Sequence, residues 1–206
     1  MYDYKKLKSP KFDENLPKIT VYDGRKTKFS IKLAVIVGLA IIMILLLVLF
    51  VFQQYRVSGI SMQPSLQNND NIIILKLPVS WAAVTGHSYI PSRGSIVVFR
   101  LDGTKLIKRV IGLPGDKLVI KNGTLTIYNK THPTGFDPDK TMAYGKSLSG
   151  ITVGNVDETI PHNELYVLGD NRSQAIDSRY FGPINVNEVI GRALVRITPL
   201  NKIRLF

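Results

Sequence analysis

The chain has 206 residues, of which 45% are hydrophobic, and a formal net charge of +12. This composition is enough for one folded domain with a real core and excludes a fully disordered chain. There is no cysteine, which excludes disulfides and thiolate metal sites, and the three histidines lack metal-ligand spacing such as H-E-x-x-H, so we expect no metal and no cofactor.

The first 52 residues predict a membrane anchor. Residues 1–32 are basic and lack a hydrophobic pattern, which indicates a flexible tail, and residues 33–52 follow without a single charge. A helix of that length spans about 30 Å, the thickness of the hydrocarbon core. A cleavable signal peptide is the competing interpretation, but the apolar run is too long and residues 53–56 offer no small-residue cleavage site. The basic flank predicts a single-pass cell-membrane protein with a cytoplasmic N-terminus and residues 53–206 outside.

The positive net charge does not predict nucleic-acid binding. Residues 1–32 hold nine Lys or Arg against four Asp or Glu, so +5 of the charge (9 minus 4) lies beside the predicted membrane helix. No nucleic-acid-binding motif occurs in the remainder, and we expect the charge to attract anionic lipid instead.

The remainder of the chain predicts an antiparallel β domain without further helices. Apolar patterns predict strands at residues 72–77, 96–101, 106–113, 118–120, 125–128, 165–168 and 189–197. Asn122 and Gly123 indicate a type I′ hairpin, because both positions of that turn need a positive φ. Residues 129–157 are polar without clear periodicity and predict a variable excursion or small subdomain away from the site. Residues 81–84, WAAV, indicate either a core turn or an apolar surface that touches the bilayer.

Residues 57–66, VSGISMQPSL, present a serine at the end of a predicted strand. Gly59 permits close approach of another chain, and Pro64 fixes φ and donates no hydrogen bond, so the segment predicts a break into a turn at Ser61. An ordinary turn rich in Ser, Gly and Pro is the alternative. A catalytic role for Ser61 therefore requires a partner that takes its proton.

The candidate partner is Lys108, in the segment KRVIGLPGD at 108–116. Alternation with Leu106 and Val110 places the lysine on an apolar strand face, where burial lowers the pKa of the amine and makes it a base. In the alternative interpretation Lys108 is exposed and Leu106 is the exception on its face. The alternation does not exclude this, because the opposite face also contains apolar residues and is formed by Lys105, Ile107, Arg109 and Ile111.

A third segment, residues 169–182, combines acids, arginines and small residues in the loop GDNRSQAIDSRYFG. Such a loop can brace a site, and a salt-bridged surface turn is the alternative. In this order the three segments resemble those of the bacterial type I signal peptidases, closest to their Gram-positive branch. The resemblance extends over nearly all of residues 30–206. It implies a mainly β protein, with a single N-terminal transmembrane helix followed by an antiparallel β domain of the signal peptidase type.

The resemblance also implies roles for individual residues. Ser61 matches the nucleophile and Lys108 the general base, while Asp70 and Asp116 match structural acids. The residues expected to support the site are Asp177 with Arg179, which support the lysine, and Gly59, Met62 and Asp170. Those expected to contact an extended substrate, on strands at 54–60 and 105–107, are Val57, Ile60, Leu106 and Ile107.

Two positions depart from the resemblance. Some relatives carry a serine two residues before the nucleophile that binds the oxyanion, and this chain has Gly59 there. The backbone N–H of Ser61 is then the main expected oxyanion donor. Relatives can also carry a serine at the position of Ala175 that hydrogen-bonds the lysine, and an alanine cannot do so.

The resemblance implies a membrane-anchored serine endopeptidase that removes signal peptides from exported preproteins after small residues. Its expected partners are those signal peptides and the lipid bilayer, with no nucleic acid and no metal. An extended chain would keep Ser61 within about 30 Å of the predicted end of the helix. The alternatives are a Ser/His/Asp hydrolase using His87, His132 or His162, and a membrane-anchored β scaffold or decayed homologue. The presence of both Ser61 and Lys108 argues against decay.

Overall fold

The computed structural model describes residues 24–86, 88–144, 148 and 150–206, and its framework is a pair of antiparallel sheets. The chain divides between Ile44 and Leu45 into two compact units, and every described strand lies in the second. The predicted mainly β class is confirmed.

Helix α1 spans Gly24–Val51, and its Ser30–Val51 portion is long and apolar enough to cross a membrane. The sequence predicts this helix at 33–52, so the helix begins earlier and Phe52 belongs to the first strand instead. Residues 24–32, assigned to the flexible tail, are helical because lysine and arginine are good helix formers. The charged residues before Ser30 limit the apolar span, but the helix continues through them. The rest of the predicted tail, residues 1–23, lies outside the described residues.

The part of the chain that the structure describes contains eleven strands, all of them after helix α1. In chain order the strands are β1 Phe52–Arg56, β2 Asn71–Leu75, β3 Ile96–Leu101, β4 Thr104–Gly112, β5 Lys117–Lys121, β6 Thr124–Tyr128, β7 Val156–Thr159, β8 Glu164–Leu168, β9 Ile184–Asn185, β10 Val189–Thr198 and β11 Arg204–Leu205. The larger sheet has the order β1-β2-β10-β3-β4-β8-β9, with β11 paired to β10, and the smaller has the order β6-β5-β7. The seven predicted strands are confirmed with small shifts at their ends. The strand expected at 54–60 overlaps β1, which begins earlier and ends at Arg56, and the sequence missed β7, β9 and β11.

The hairpin between β5 and β6 turns at Asn122 and Gly123, whose φ angles are 51° and 76°. Both angles are positive, so the predicted turn is confirmed. Leu118, Ile120, Leu125 and Ile127 of this hairpin are buried in one apolar cluster with Ile111 and Tyr166. The smaller sheet is thereby packed against the strands that carry the 108–116 segment.

Helices after the anchor contradict the prediction that none exists. Helix α2 spans Leu77–Thr85, and one-turn helices occur at α3 Pro138–Thr141 and α4 Ser178–Phe181. A proline stands in the first turn of α2, and Gly86 follows its last residue in the left-handed conformation, with φ 70°. Proline near the start and glycine past the end are helix signals that the sequence did carry. The segment has only nine residues, so it is too short to show a clear helical periodicity.

The turn after β1 is fixed to the larger sheet. Val57, Met62 and Leu66 are buried against Ile72 and Ile74 of β2. The Val57 N–H also donates to the Asp70 carbonyl at 2.8 Å. Buried residues before and after Ser61 therefore hold this turn against the larger sheet.

Candidate active site

Ser61 lies in the turn that follows β1, and its hydroxyl meets the amine of Lys108. The Lys108 Nζ donates to Ser61 Oγ at 2.8 Å and to the Ile107 carbonyl at 3.2 Å. Gly59, two residues before the serine, has a φ of 91°, which an L side chain rarely adopts. The structure thus brings together the two residues that the sequence singled out from separate segments.

Lys108 lies in the middle of β4, paired with Val97 of β3, and it is 4% exposed. Burial lowers the pKa of its amine to about 8, and the carboxylates of Asp177 and Asp170 offset part of that effect by favouring the ammonium form. The alternative of an exposed Lys108 is therefore wrong. A minor part of this lysine is therefore neutral near neutral pH, and the neutral amine is the form that can act as a base.

The opposite face of β4 carries an ion pair that the sequence analysis did not predict. Arg109 donates from Nε to Asp170 Oδ1 at 2.7 Å and from Nη2 to Oδ2 of the same carboxylate. Its Nη1 donates to the Gly94 carbonyl at 2.7 Å. Asp170 is fully buried, so the pair is desolvated and depends on these bonds. Successive residues of a strand point to opposite faces. The adjacent Lys108 and Arg109 therefore have different partners, Ser61 and Asp170.

The loop at 169–182 reaches the backbone of the serine turn. The Asn171 N–H donates to the Ser61 carbonyl at 3.0 Å, and Asn171 Nδ2 donates to the Ile60 carbonyl at 3.3 Å. A Cβ placed on Gly169 would lie 2.5 Å from the Ser61 carbonyl oxygen and would collide with the Ala175 side chain. Glycine is therefore required at 169, and the loop braces the site as predicted from its composition.

The predicted pair of Asp177 and Arg179 forms within this loop. Arg179 donates from Nε to Asp177 Oδ1 and from Nη2 to Oδ2, each at 2.8 Å. Asp177 Oδ2 also accepts the Gly169 N–H at 3.0 Å. Asp177 is fully buried and influences Lys108 through its charge, while its hydrogen bonds go to these other groups. Arg179 in turn fixes that carboxylate.

The excursion at 129–157, which the sequence analysis did not assign to the site, contacts the loop that braces it. Arg172 is buried and binds both carboxylate oxygens of Asp139, with Nη2 donating to Oδ1 at 2.6 Å. Arg172 Nε donates to the Gly169 carbonyl at 3.0 Å, and Arg179 Nη1 donates to the Val153 carbonyl at 3.0 Å. The excursion therefore holds the bracing loop in position. Asp139 lacked a sequence signal, because its partner is 33 residues away along the chain.

A cavity of about 180 Å³ adjoins the Ser61 hydroxyl. Its walls include the predicted substrate-contacting residues Val57, Leu106 and Ile107, together with Lys108. Ile60, whose side chain is 47% exposed, is not among the lining residues. Met62, which was expected to support the site, also lines the cavity and is otherwise buried. The sequence analysis did not select the other lining residues, which are Tyr55, Arg56, Ser58, Val98 and Lys105.

The described histidines are not among the residues that line the cavity beside Ser61. The ring of His132 packs on Phe136 at a centroid distance of 4.5 Å and contacts Asn129, and His162 is exposed. His87 lies outside the described residues. Among the residues that the structure describes, Lys108 is the side chain that meets the Ser61 hydroxyl.

A serine hydroxyl beside a buried, partly neutral lysine amine is an arrangement of serine hydrolases that use lysine in place of histidine. A family model described as signal peptidase, peptidase S26, matches residues 30–198, and the chain belongs to this family. It is therefore a serine endopeptidase of the signal peptidase type.

Two named relatives from Bacillus agree with this assignment. The chain is 33% identical over 168 residues to "Signal peptidase I" of Bacillus caldolyticus, covering 79% of this chain and 88% of the relative. It is 30% identical over 194 residues to "Signal peptidase I U" of Bacillus subtilis, covering 92% of this chain and 98% of the relative. A crystal structure of a signal peptidase I from Enterococcus faecalis matches with 28% identity and a TM-score of 0.40, covering 51% of this chain and 97% of that one.

Proposed function

We propose that this chain is a membrane-anchored serine endopeptidase that removes N-terminal signal peptides from exported preproteins through a dyad of Ser61 and Lys108. The observation that carries the proposal is the 2.8 Å separation of Lys108 Nζ and Ser61 Oγ in a member of the signal peptidase family. A hydroxyl is a weak nucleophile by itself, and an adjacent base activates it. Lys108 is such a base because burial depresses its pKa.

In the reaction, neutral Lys108 accepts the Ser61 proton as Oγ attacks the carbonyl carbon of the scissile bond. The resulting ammonium donates a proton to the leaving amine, and the preprotein's N-terminal part stays bound to Ser61 as an ester. A water molecule that loses its proton to the same lysine then hydrolyses the ester. The Asp177 and Asp170 carboxylates favour the transient ammonium, so Lys108 remains able to accept a proton in each step.

The oxyanion of this reaction would be bound chiefly by the backbone N–H of Ser61. Gly59 carries no hydroxyl, and its own N–H is already engaged with Asn68 Oδ1 at 2.9 Å. Preorganised donors of this kind stabilise the charge that develops on the carbonyl oxygen.

Two open strand edges near the serine support binding of an extended substrate. Strand β1 is the outer strand of the larger sheet, and the pairing of β4 with β8 begins only at Arg109. Residues 105–107 therefore lack a second strand partner among the described strands, and both strands contribute walls to the cavity beside Ser61. A peptide added there would bind through its backbone, and the cavity of about 180 Å³ would admit small side chains.

The proposed topology places residues 1–32 in the cytoplasm, the span near 33–52 in the cell membrane and the catalytic domain 53–206 outside. Its support is the apolar Ser30–Val51 stretch with basic residues before it. Protease added to intact spheroplasts should digest the catalytic domain. Digestion limited to the first 32 residues would show the opposite orientation.

The dyad is tested by incubating the detergent-solubilised full chain with a preprotein and following the mature product. Ser61→Ala should abolish cleavage, because no other group supplies the attacking oxygen. Ser92→Ala is the matched control, since that exposed serine lies in a different part of the domain. Cleavage by Ser61→Ala at the rate of the control would refute the proposed nucleophile.

A further inference from the structure

Helix α2 begins directly beside the end of the candidate membrane span. The span ends at Val51, whose carbonyl accepts the N–H of Lys76 at 2.8 Å, and Lys76 is the N-cap residue of α2. The Lys76 ammonium also lies 5.9 Å from the ring centre of Phe50. A backbone hydrogen bond therefore links the start of α2 directly to the last residue of the apolar span.

One face of α2 is apolar and uncovered. Leu77, Trp81 and Val84 are spaced i, i+4 and i+7, which places them on one side of a helix, and their exposures are 47%, 66% and 83%. Val79 is on the opposite side and packs against the core. The α2 segment LPVSWAAVT carries no charged residue. The core-turn interpretation of residues 81–84 is thus wrong for Trp81 and Val84.

An apolar hollow continues this face beyond the end of the helix. It has a volume of about 470 Å³ and is lined largely by Pro78, Trp81, Ala82, Tyr89 and Ile90. A contiguous apolar surface of this kind on a water-facing domain marks an interaction site. Its position beside the end of the span indicates what covers it.

We propose that α2 lies in the lipid–water interface, with Leu77, Trp81 and Val84 buried among the upper acyl chains and headgroups of anionic lipid. Tryptophan favours that depth, because its ring is apolar and its N–H still finds a polar partner there. Lys76, at the start of the helix, can extend its ammonium to lipid phosphates while its stem stays along apolar surface. The helix would be a second point of attachment, which restricts how the catalytic unit turns above the bilayer.

Trp81 is the single tryptophan of the chain, so its fluorescence reports on this helix alone. The full chain would be reconstituted into phosphatidylcholine–phosphatidylglycerol vesicles in which one lipid carries brominated acyl chains. We expect the bromines to quench most of the Trp81 emission and acrylamide in the water to quench little of it. Strong acrylamide quenching with no effect of bromine would overturn the proposal.

The matched control moves the tryptophan to another exposed apolar position. Leu200→Trp in a Trp81→Phe background places it at a side chain that is 78% exposed, after the end of β10. There Thr198 pairs with Asn71, at the far end of β2 from Leu75. We expect acrylamide to quench this tryptophan and bromine to leave it unaffected. Equal bromine quenching at both positions would overturn the proposal, because it would reflect general contact of the domain with lipid.

Other occupants of the face give different results. If a second copy of this chain covered it, protection of Trp81 would fall as the protein is diluted into excess lipid, which would overturn the proposal. Val84→Glu should raise the KM for a preprotein embedded in the same vesicles and leave cleavage of a soluble peptide in detergent unchanged. That activity measurement rests on the proposed function, whereas the fluorescence of the inactive Ser61→Ala variant does not. The two hypotheses can therefore fail separately.

Discussion

The rate of preprotein cleavage should follow the deprotonation of Lys108, with a midpoint near pH 8. Burial lowers the pKa of this amine from 10.5 to about 8, although the Asp177 and Asp170 carboxylates act in the opposite direction. At pH 7 about one Lys108 in ten is then neutral, against about one in three thousand for a lysine with its ordinary pKa. The rate should therefore rise about tenfold between pH 7 and pH 9 and then level off.

The assay is kcat/KM for a preprotein, measured with the detergent-solubilised full chain from pH 6 to pH 10, because kcat/KM reports ionisations of the free enzyme. Lys108→Arg tests whether positive charge alone suffices. Arginine stays protonated up to pH values above about 12, so this variant should be as inactive as Lys108→Ala.

Several outcomes would refute this reasoning. An active Lys108→Arg variant would show that the residue acts through its charge and not as a base. A midpoint near about 6.5 would indicate a histidine instead. Single alanine variants of His87, His132 and His162 complete the test, since each should keep the wild-type profile. A histidine variant as inactive as Ser61→Ala would remove Lys108 from the role of base.

Three further substitutions test the surroundings of the dyad. Ala175→Ser should preserve cleavage or raise it modestly, because the resemblance places a serine hydroxyl at this position in hydrogen bond to the lysine, and a loss equal to that of Ser61→Ala would show that the assignment of this loop is wrong or that the site has no room. Gly169→Ala should lower kcat by about 100-fold, because the new Cβ would displace the Ser61 carbonyl, and a wild-type rate would show that the turn is free to shift. Asp170→Asn should lower the free energy of unfolding by about 3 to 5 kcal/mol, because it leaves a buried arginine unpaired. Chemical denaturation in detergent measures this change, and Asp157→Asn, which breaks an exposed ion pair, should cost at most about 1 kcal/mol.

The sequence predicted the dyad better than it predicted the packing around it. Ser61 and Lys108 stood out because each is an unusual residue in its local pattern. Residues on both faces of β4 are buried from Lys108 onwards, so both faces carry apolar residues. The alternation of residues around Lys108 therefore could not identify a single buried face. The sequence analysis assigned no partner to Arg109, which forms the buried pair with Asp170.

Other features depended on contacts that no local pattern records. Helix α2 is short, and its exposed Trp81 and Val84 do not give the pattern of a helix that packs one apolar stripe on a core. Ile60 was expected to contact substrate as part of a strand at 54–60, but β1 ends at Arg56 and Ile60 does not line the cavity beside Ser61. The excursion at 129–157 gained its role through Asp139, whose partner Arg172 lies in a distant segment.

No free linker separates the candidate span from the serine. Helix α1 ends at Val51, strand β1 begins at Phe52 with its whole length paired to β2, and the turn that holds Ser61 follows Arg56. The five residues of β1 extend about 17 Å and the turn adds five more residues up to Ser61, so the length of the chain limits how far the nucleophile can lie from the end of the span. On the proposed topology, the distance of a peptide bond from the membrane would help to decide whether it is cleaved, in addition to its neighbouring side chains. A preprotein whose small residues emerge too close to the lipid, or too far from it, would be spared even with a suitable sequence.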